Sequence, residues 1–151
     1  MSDKNFIDAF LAQPYLCRIA LTRESQAPLI RPLWFLWEND RLLLSTRDDT
    51  IHTNALKRNP LVALCIDKPT TPYAGIICEG EAELVESLGK DHELLRRLAA
   101  RYLPAERVDG FMQRPMAQVE NRVRFVITPH SWTVWNNDPE APIAPRRADY
   151  A

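Results

Sequence analysis

The sequence predicts a mainly β domain with peripheral helices, arranged as a closed or split antiparallel barrel. Three observations carry this expectation. Apolar and polar residues alternate with period two over several segments; in residues 76–85, Ile76, Cys78, Gly80, Ala82 and Leu84 oppose Ile77, Glu79, Glu81 and Glu83. Two early strand segments are joined only by Glu38, Asn39 and Asp40, a connection that favours an antiparallel hairpin. Helical spacing follows only some of the strands, whereas a doubly wound parallel sheet needs a helix after nearly every one. With four glycines in 151 residues, no glycine-rich phosphate loop is present to support a dinucleotide fold.

The elements follow in chain order. Residues 5–13 place Phe6, Ile7, Phe10 and Leu11 on one face of a short helix that Pro14 ends. Residues 15–21 alternate, with Tyr15, Cys17, Ile19 and Leu21 facing one way and Arg18 the other, and 22–27 form a turn. Residues 29–37 and 41–46 are the two strands of the hairpin. Asp48, Asp49 and Thr50 are helix-capping residue types, and Ile51 and Ala55, four apart, belong to a short helix stopped by Asn59 and Pro60. A strand over 61–66, a Pro/Thr loop over 69–72 and the long strand over 76–85 come next. In residues 91–102 the period changes to four through Leu94, Leu98 and Tyr102, an amphipathic helix whose Arg96, Arg97 and Arg101 read as a solvated face. A second helical piece spans 105–119, interrupted near Pro115, and strands over 122–128 and 132–135 close the domain. Residues 1–136 are thus one domain, and the Pro/Ala/Arg-rich tail 137–151 has few groups to bury, so it is expected to be flexible or packed on a partner.

Composition narrows the function classes. Nineteen basic and twenty acidic residues give a net charge of -1 with no long basic tract, so nucleic acid is not an expected partner. No apolar stretch approaches a membrane span, and the start MSDKNFIDAF lacks the apolar segment of an export signal; a cytoplasmic location without membrane association is expected. Cys17, Cys65 and Cys78 have no Cys-x-x-Cys spacing and read as small core side chains. His52, His92 and His130 are widely separated, which argues against a metal site, and no Ser/His/Asp constellation suggests a hydrolase.

One polar segment stands out. STRDDTIHTNALKRNP, residues 45–60, lies at a strand-to-helix corner where Thr46 and Thr50 offer hydroxyls, Arg47 a planar fork and His52 a further donor beside the unpaired N–H groups of a helix start. Such a corner binds an anion, or it is a connecting helix capped by Asp48 and Asp49. Arg31, in RPLWF of the preceding strand, can reach the same end of the sheet, and Trp34 or Phe35 can wall a flat heterocycle.

These residues carry a resemblance. APLIRPLWFLWENDRLLLSTRDDTIHTNALKRNPLVALCID (27–67), TPYAGIICEGEAELVE (71–86) and, more loosely, VRFVITPHSWTVW (123–135) resemble the pyridoxamine 5'-phosphate oxidase-like group of flavin-binding split barrels. The resemblance implies a six-stranded antiparallel split β-barrel, a homodimer, and FMN in a groove between subunits. It places Arg31 where the family has an arginine on the FMN phosphate and Thr46 where a threonine closes the next strand. Thr50, Ile51 and His52 stand where the family has serine, arginine and lysine, and Leu36 stands where it has a further lysine. Pro32, Leu33 and Trp34 complete the strand expected to meet the flavin ring through backbone donors. Arg47 is selected by the chemistry of the corner alone. The Arg-Leu-His arrangement by which the family recognises its B6 substrate has no counterpart.

Three function classes follow. The preferred one is an FMN-dependent oxidoreductase acting on a small organic substrate, its catalytic residues unidentified. The second binds or senses a flavin, F420 or haem without turnover. The third is a structural dimer with a degenerate pocket.

Overall fold

The computed structural model describes residues 3–89 and 92–138, so most of the predicted tail lies outside the described residues. In chain order the elements are α1 (Asp3–Leu11), β1 (Cys17–Thr22), β2 (Pro28–Leu33), β3 (Leu36–Glu38), β4 (Arg41–Arg47), α2 (Ile51–Arg58), β5 (Leu61–Asp67), β6 (Ala74–Gly89), α3 (Glu93–Tyr102), α4 (Ala105–Met112) and β7 (Arg122–Asn136). The strands form one sheet in the order β2-β1-β5-β6-β7-β4-β3, antiparallel at each pairing.

The order requires the sheet to curl. β2 and β3 are its opposite edges, yet only Trp34 and Phe35 separate them in the chain. Three residue steps span at most about 11 Å, whereas the edges of a flat seven-stranded sheet lie roughly 29 Å apart. The result is a curled antiparallel half-barrel with four helices. Its seven strands differ from the six that the resemblance implies; residues 29–37, predicted as one strand, divide between the two edges. The Phe35 N–H leaves the ladder to donate to the Tyr102 hydroxyl at 3.2 Å, and that hydroxyl donates to the Tyr15 carbonyl at 2.8 Å. The predicted hairpin is therefore β3–β4, with β2 paired to β1 instead.

Alternation fills the barrel. Cys17, Ile19 and Leu21 of β1, Leu42 and Leu44 of β4, Val62, Leu64 and Ile66 of β5, and Phe125 and Ile127 of β7 are buried in one core. Leu84, expected inside, is exposed because β5 stops covering β6 at the Leu61–Glu81 pair. Residues 122–136 form one strand where two were expected. The register shift at Glu79/Gly80 skips His130 beside Pro129, a bulge that accommodates a residue without an N–H. Gly80 is required there, since a Cβ would lie 2.5 Å from the Thr128 carbonyl oxygen.

α3 and α4 make a second layer. Leu95, Ala99, Val108, Met112 and Ala117 form a small core, with Trp34 and Phe111 packed against it. α4 stops at Met112, short of the predicted 119, because Pro115 cannot continue it. On α3, Arg96 pairs with Asp109 at 2.7 Å and Arg97 with Glu38. Arg101 corrects the reading of a wholly solvated basic face: it turns inward and donates to the carbonyls of Leu11 and Gln13, both at 2.6 Å. Among the described residues, no helix is long and apolar enough to cross a membrane.

Candidate functional site

The site is built where β4 ends and α2 begins. Inward alternation along β4 continues from Leu42 and Leu44 to Thr46, so a hydroxyl is carried into a buried position. His52 follows one turn later, only 8% exposed, and its Nε2 lies 2.7 Å from the Thr46 Oγ1. Its Nδ1 is buried without a partner among the described residues. A buried, half-satisfied imidazole is uncommon and points to a missing partner.

Thr50 caps α2: its Oγ1 accepts from the Thr53 N–H at 3.2 Å and donates to the Arg47 carbonyl at 3.2 Å. The fully buried Thr53 hydroxyl donates to the same carbonyl at 2.7 Å. Asp48 and Asp49, residue types suited to capping, are engaged elsewhere, Asp48 with Lys57 and Asp49 with the Arg47 Nε at 3.1 Å. The N–H groups of Ile51 and His52 meet no acceptor among the described residues, which leaves the first two donors of the helix open.

Positive charge converges on this corner from three strands. Burial first, then Arg31 of β2 and Arg47 of β4, hold His52 below the ordinary histidine range, so both guanidiniums act on one ring. Arg31 is half-buried, bonds only the Ile30 carbonyl at 3.1 Å and pairs with no carboxylate among the described residues. Curling, and not the β3–β4 hairpin, brings it here. Arg122, at the start of β7, is only 6% exposed; it donates to the Ser45 hydroxyl at 3.3 Å and to the Met116 carbonyl at 2.9 Å. Burial, then the nearby Arg47, disfavours its charge.

Thr46, Arg47, Thr50 and His52 are thus gathered at one corner, with Arg31 of β2 within electrostatic range of the ring. Pro32 and Leu33 close β2, an edge strand paired on one side only, and Trp34 follows it; of the three, Pro32 has no N–H to offer a ligand. The Trp34 ring is packed into the helical layer, stacked on Tyr102 at 5.1 Å and tilted against Phe111 at 5.2 Å, and Phe35 is fully buried. Leu36 is packed against Leu94 and Leu98. Sequence reasoning missed Arg122 and Thr53. Alternation gives Arg122 no inward assignment, because its burial comes from the segment after α4; Thr53 was visible only as a hydroxyl three residues after the cap.

A cluster of guanidiniums, hydroxyls and open helix N–H groups around a half-satisfied imidazole suits a phosphate. The pyridoxamine 5'-phosphate oxidase family profile matches residues 4–136. No curated protein matches the chain. Among solved structures, an F420 reductase is similar at 24% identity with a TM-score of 0.69, covering 83% of this chain and 94% of the other. HutZ, the haem storage protein from Vibrio cholerae, is similar at 17% identity with a TM-score of 0.64 and coverages of 90% and 95%. An FAD-binding protein from Mesorhizobium loti is similar at 16% identity with a TM-score of 0.62 and coverages of 89% and 92%. At these identities the three share the fold, and their names mention three different groups, F420, haem and FAD. The family profile spans the whole barrel, from α1 through the end of β7, and on that match the chain belongs to the pyridoxamine 5'-phosphate oxidase family.

Proposed function

We propose that the protein binds FMN and is a flavin-dependent oxidoreductase acting on a small organic substrate. The observation that carries the reading is the buried His52 beside the start of α2, held to the Thr46 hydroxyl at 2.7 Å with its Nδ1 unpartnered among the described residues and with Arg31 and Arg47 nearby. In this reading Arg31, Arg47, Thr46, Thr50 and His52 hold the phosphate, and the Pro32–Trp34 backbone borders the ring. Bound flavin would supply hydride or electron transfer, while the chain's own contribution is to hold the phosphate, orient the ring and exclude water. Cofactor-free protein titrated with FMN and riboflavin is expected to bind FMN more tightly, since only FMN carries a phosphate. Equal affinities, or no binding by folded protein, would overturn the assignment.

F420 is the second reading, favoured by a specific feature. Ile51 and Leu36 replace two cations that the family likeness expects, and a singly charged phosphodiester needs fewer cations than the FMN dianion. The same titration with F420 separates the two.

The protein is further proposed to be a homodimer. Ile30 and Leu61 are 62% and 61% exposed. Ile30 pairs with Ala20, which pairs with Ala63, so the outer face of β2-β1-β5 carries a row of small and apolar groups. Trp132 and Trp135, obvious candidates for a subunit contact, are half-buried within the chain: Trp132 meets Trp37 edge-on at 5.7 Å, and Trp135 lies against Gly75. Light scattering is expected to give twice the 17.4 kDa chain mass. A monomer at micromolar concentration would remove this proposal.

A further inference from the structure

The imidazole at the centre of the site has a property that a lysine in its place would lack. His52 is nine-tenths buried, tied through Nε2 to the Thr46 hydroxyl at 2.7 Å, and its Nδ1 meets no partner among the described residues. Whichever tautomer the ring adopts, one nitrogen remains unsatisfied, so protonation gains a hydrogen bond only when an acceptor enters the site.

We propose that His52 is a proton-operated part of the phosphate site, neutral in the empty protein and protonated when a phosphate dianion is held between Arg31 and Arg47, so that cofactor binding takes up a proton. The inference rests on the phosphate site proposed above.

The charges around the ring give the direction of the effect. Arg31 on β2 and Arg47 at the end of β4 both act on it, and with burial they favour the neutral ring while the site is empty. The carboxylates near α2 have other partners: Asp48 pairs with Lys57, Asp49 with Arg47, and Glu24 lies 3.7 Å from Arg58. Arg122 of β7 stands next to Arg47. On the strands against which α2 packs, Arg18 of β1 pairs with Asp67, while Glu79, Glu81 and Glu83 of β6 are exposed. A dianion placed among the guanidiniums reverses the local field at His52 and supplies an acceptor. The bound form therefore titrates at higher pH than the empty form, and between the two values binding strengthens as pH falls.

The test is calorimetry of cofactor-free protein with FMN in two buffers of different ionisation enthalpy, comparing wild type with His52→Gln. The phosphate's own second ionisation, near pH 6, is common to both proteins, so the difference between them reports the histidine. Wild type is expected to take up a larger fraction of a proton, at most one. Its affinity advantage over His52→Gln is expected to grow by up to about tenfold per pH unit as pH is lowered. His52→Lys, which carries a fixed charge, is expected to keep FMN binding without that extra pH dependence, and riboflavin is expected to show no difference between wild type and His52→Gln. Thermal unfolding establishes that each variant is folded; if neither is, the two-buffer measurement on wild type decides alone, with uptake no greater than the phosphate supplies counting against the proposal. Equal proton uptake by wild type and a folded His52→Gln, with FMN bound, would overturn the role of His52 and leave the phosphate site standing. Failure of folded wild type to bind FMN at any pH tested would overturn the phosphate site, and this inference with it.

Discussion

Replacing Arg31 by alanine is expected to weaken FMN binding by about 10- to 150-fold, the equivalent of losing one charge-assisted contact of roughly 1.5 to 3 kcal/mol. The structure makes this a clean substitution. Arg31 lies on an edge strand, is half-buried, and donates only to the carbonyl of its own neighbour, Ile30, at 3.1 Å. Its removal breaks no ion pair among the described residues and opens no core cavity, so the variant should unfold at nearly the wild-type temperature. Any loss of affinity then belongs to the ligand. Riboflavin, which has no phosphate, should bind the two proteins almost equally, and fluorescence titration of both ligands gives the comparison. Equal FMN affinity in wild type and Arg31→Ala would place the phosphate away from β2.

Much of the fold was legible because alternation is a local property. Cys17, Ile19 and Leu21, or Val62, Leu64 and Ile66, face one way whatever the rest of the chain does, and the structure buries them together. The division of residues 29–37 was not legible. It depends on the Tyr102 hydroxyl, which reaches Phe35 from 67 residues away, and no local pattern announces such a partner. The site divides along the same line. Thr46, Thr50 and His52 sit within seven residues of chain, so their proximity followed from the strand-to-helix corner. Arg31 was expected to arrive through a hairpin and comes near the ring instead because the sheet curls. Arg122 was invisible, since an arginine opening a strand reads as solvated until the turn after α4 covers it. The burial of a charged group is decided by what packs over it, and spacing records only what lies beside it in the chain.

Arg101 shows the energetic consequence of that distinction, and Arg101→Ala is expected to destabilise the protein by about 2 to 4 kcal/mol. The guanidinium joins two layers. Its Nη2 donates to the carbonyls of Leu11 and Gln13 at the end of α1, where a helix leaves carbonyls without intrahelical partners. Its central carbon stands 4.8 Å from the Phe35 ring centroid and 5.5 Å from that of Tyr102, so the cation also covers the junction between β2 and β3. Hydrogen bonds from a charged donor contribute about 1.5 to 3 kcal/mol, and a cation over an aromatic face adds roughly 0.5 to 1 kcal/mol or more. Alanine would leave the Leu11 carbonyl without this donor, whereas the Gln13 carbonyl keeps the Tyr15 N–H at 2.8 Å. For a domain of this size the loss corresponds to a fall in Tm of roughly 4 to 16 °C. Arg96→Ala is the matched control: on the same helix its guanidinium pairs with Asp109, whose side chain is 80% exposed, and a surface pair of this kind contributes little. Urea unfolding of the two variants tests the contrast. If Arg101→Ala proves no more destabilising than Arg96→Ala, the α1 carbonyls find other partners and the guanidinium does not hold the helical layer to the barrel.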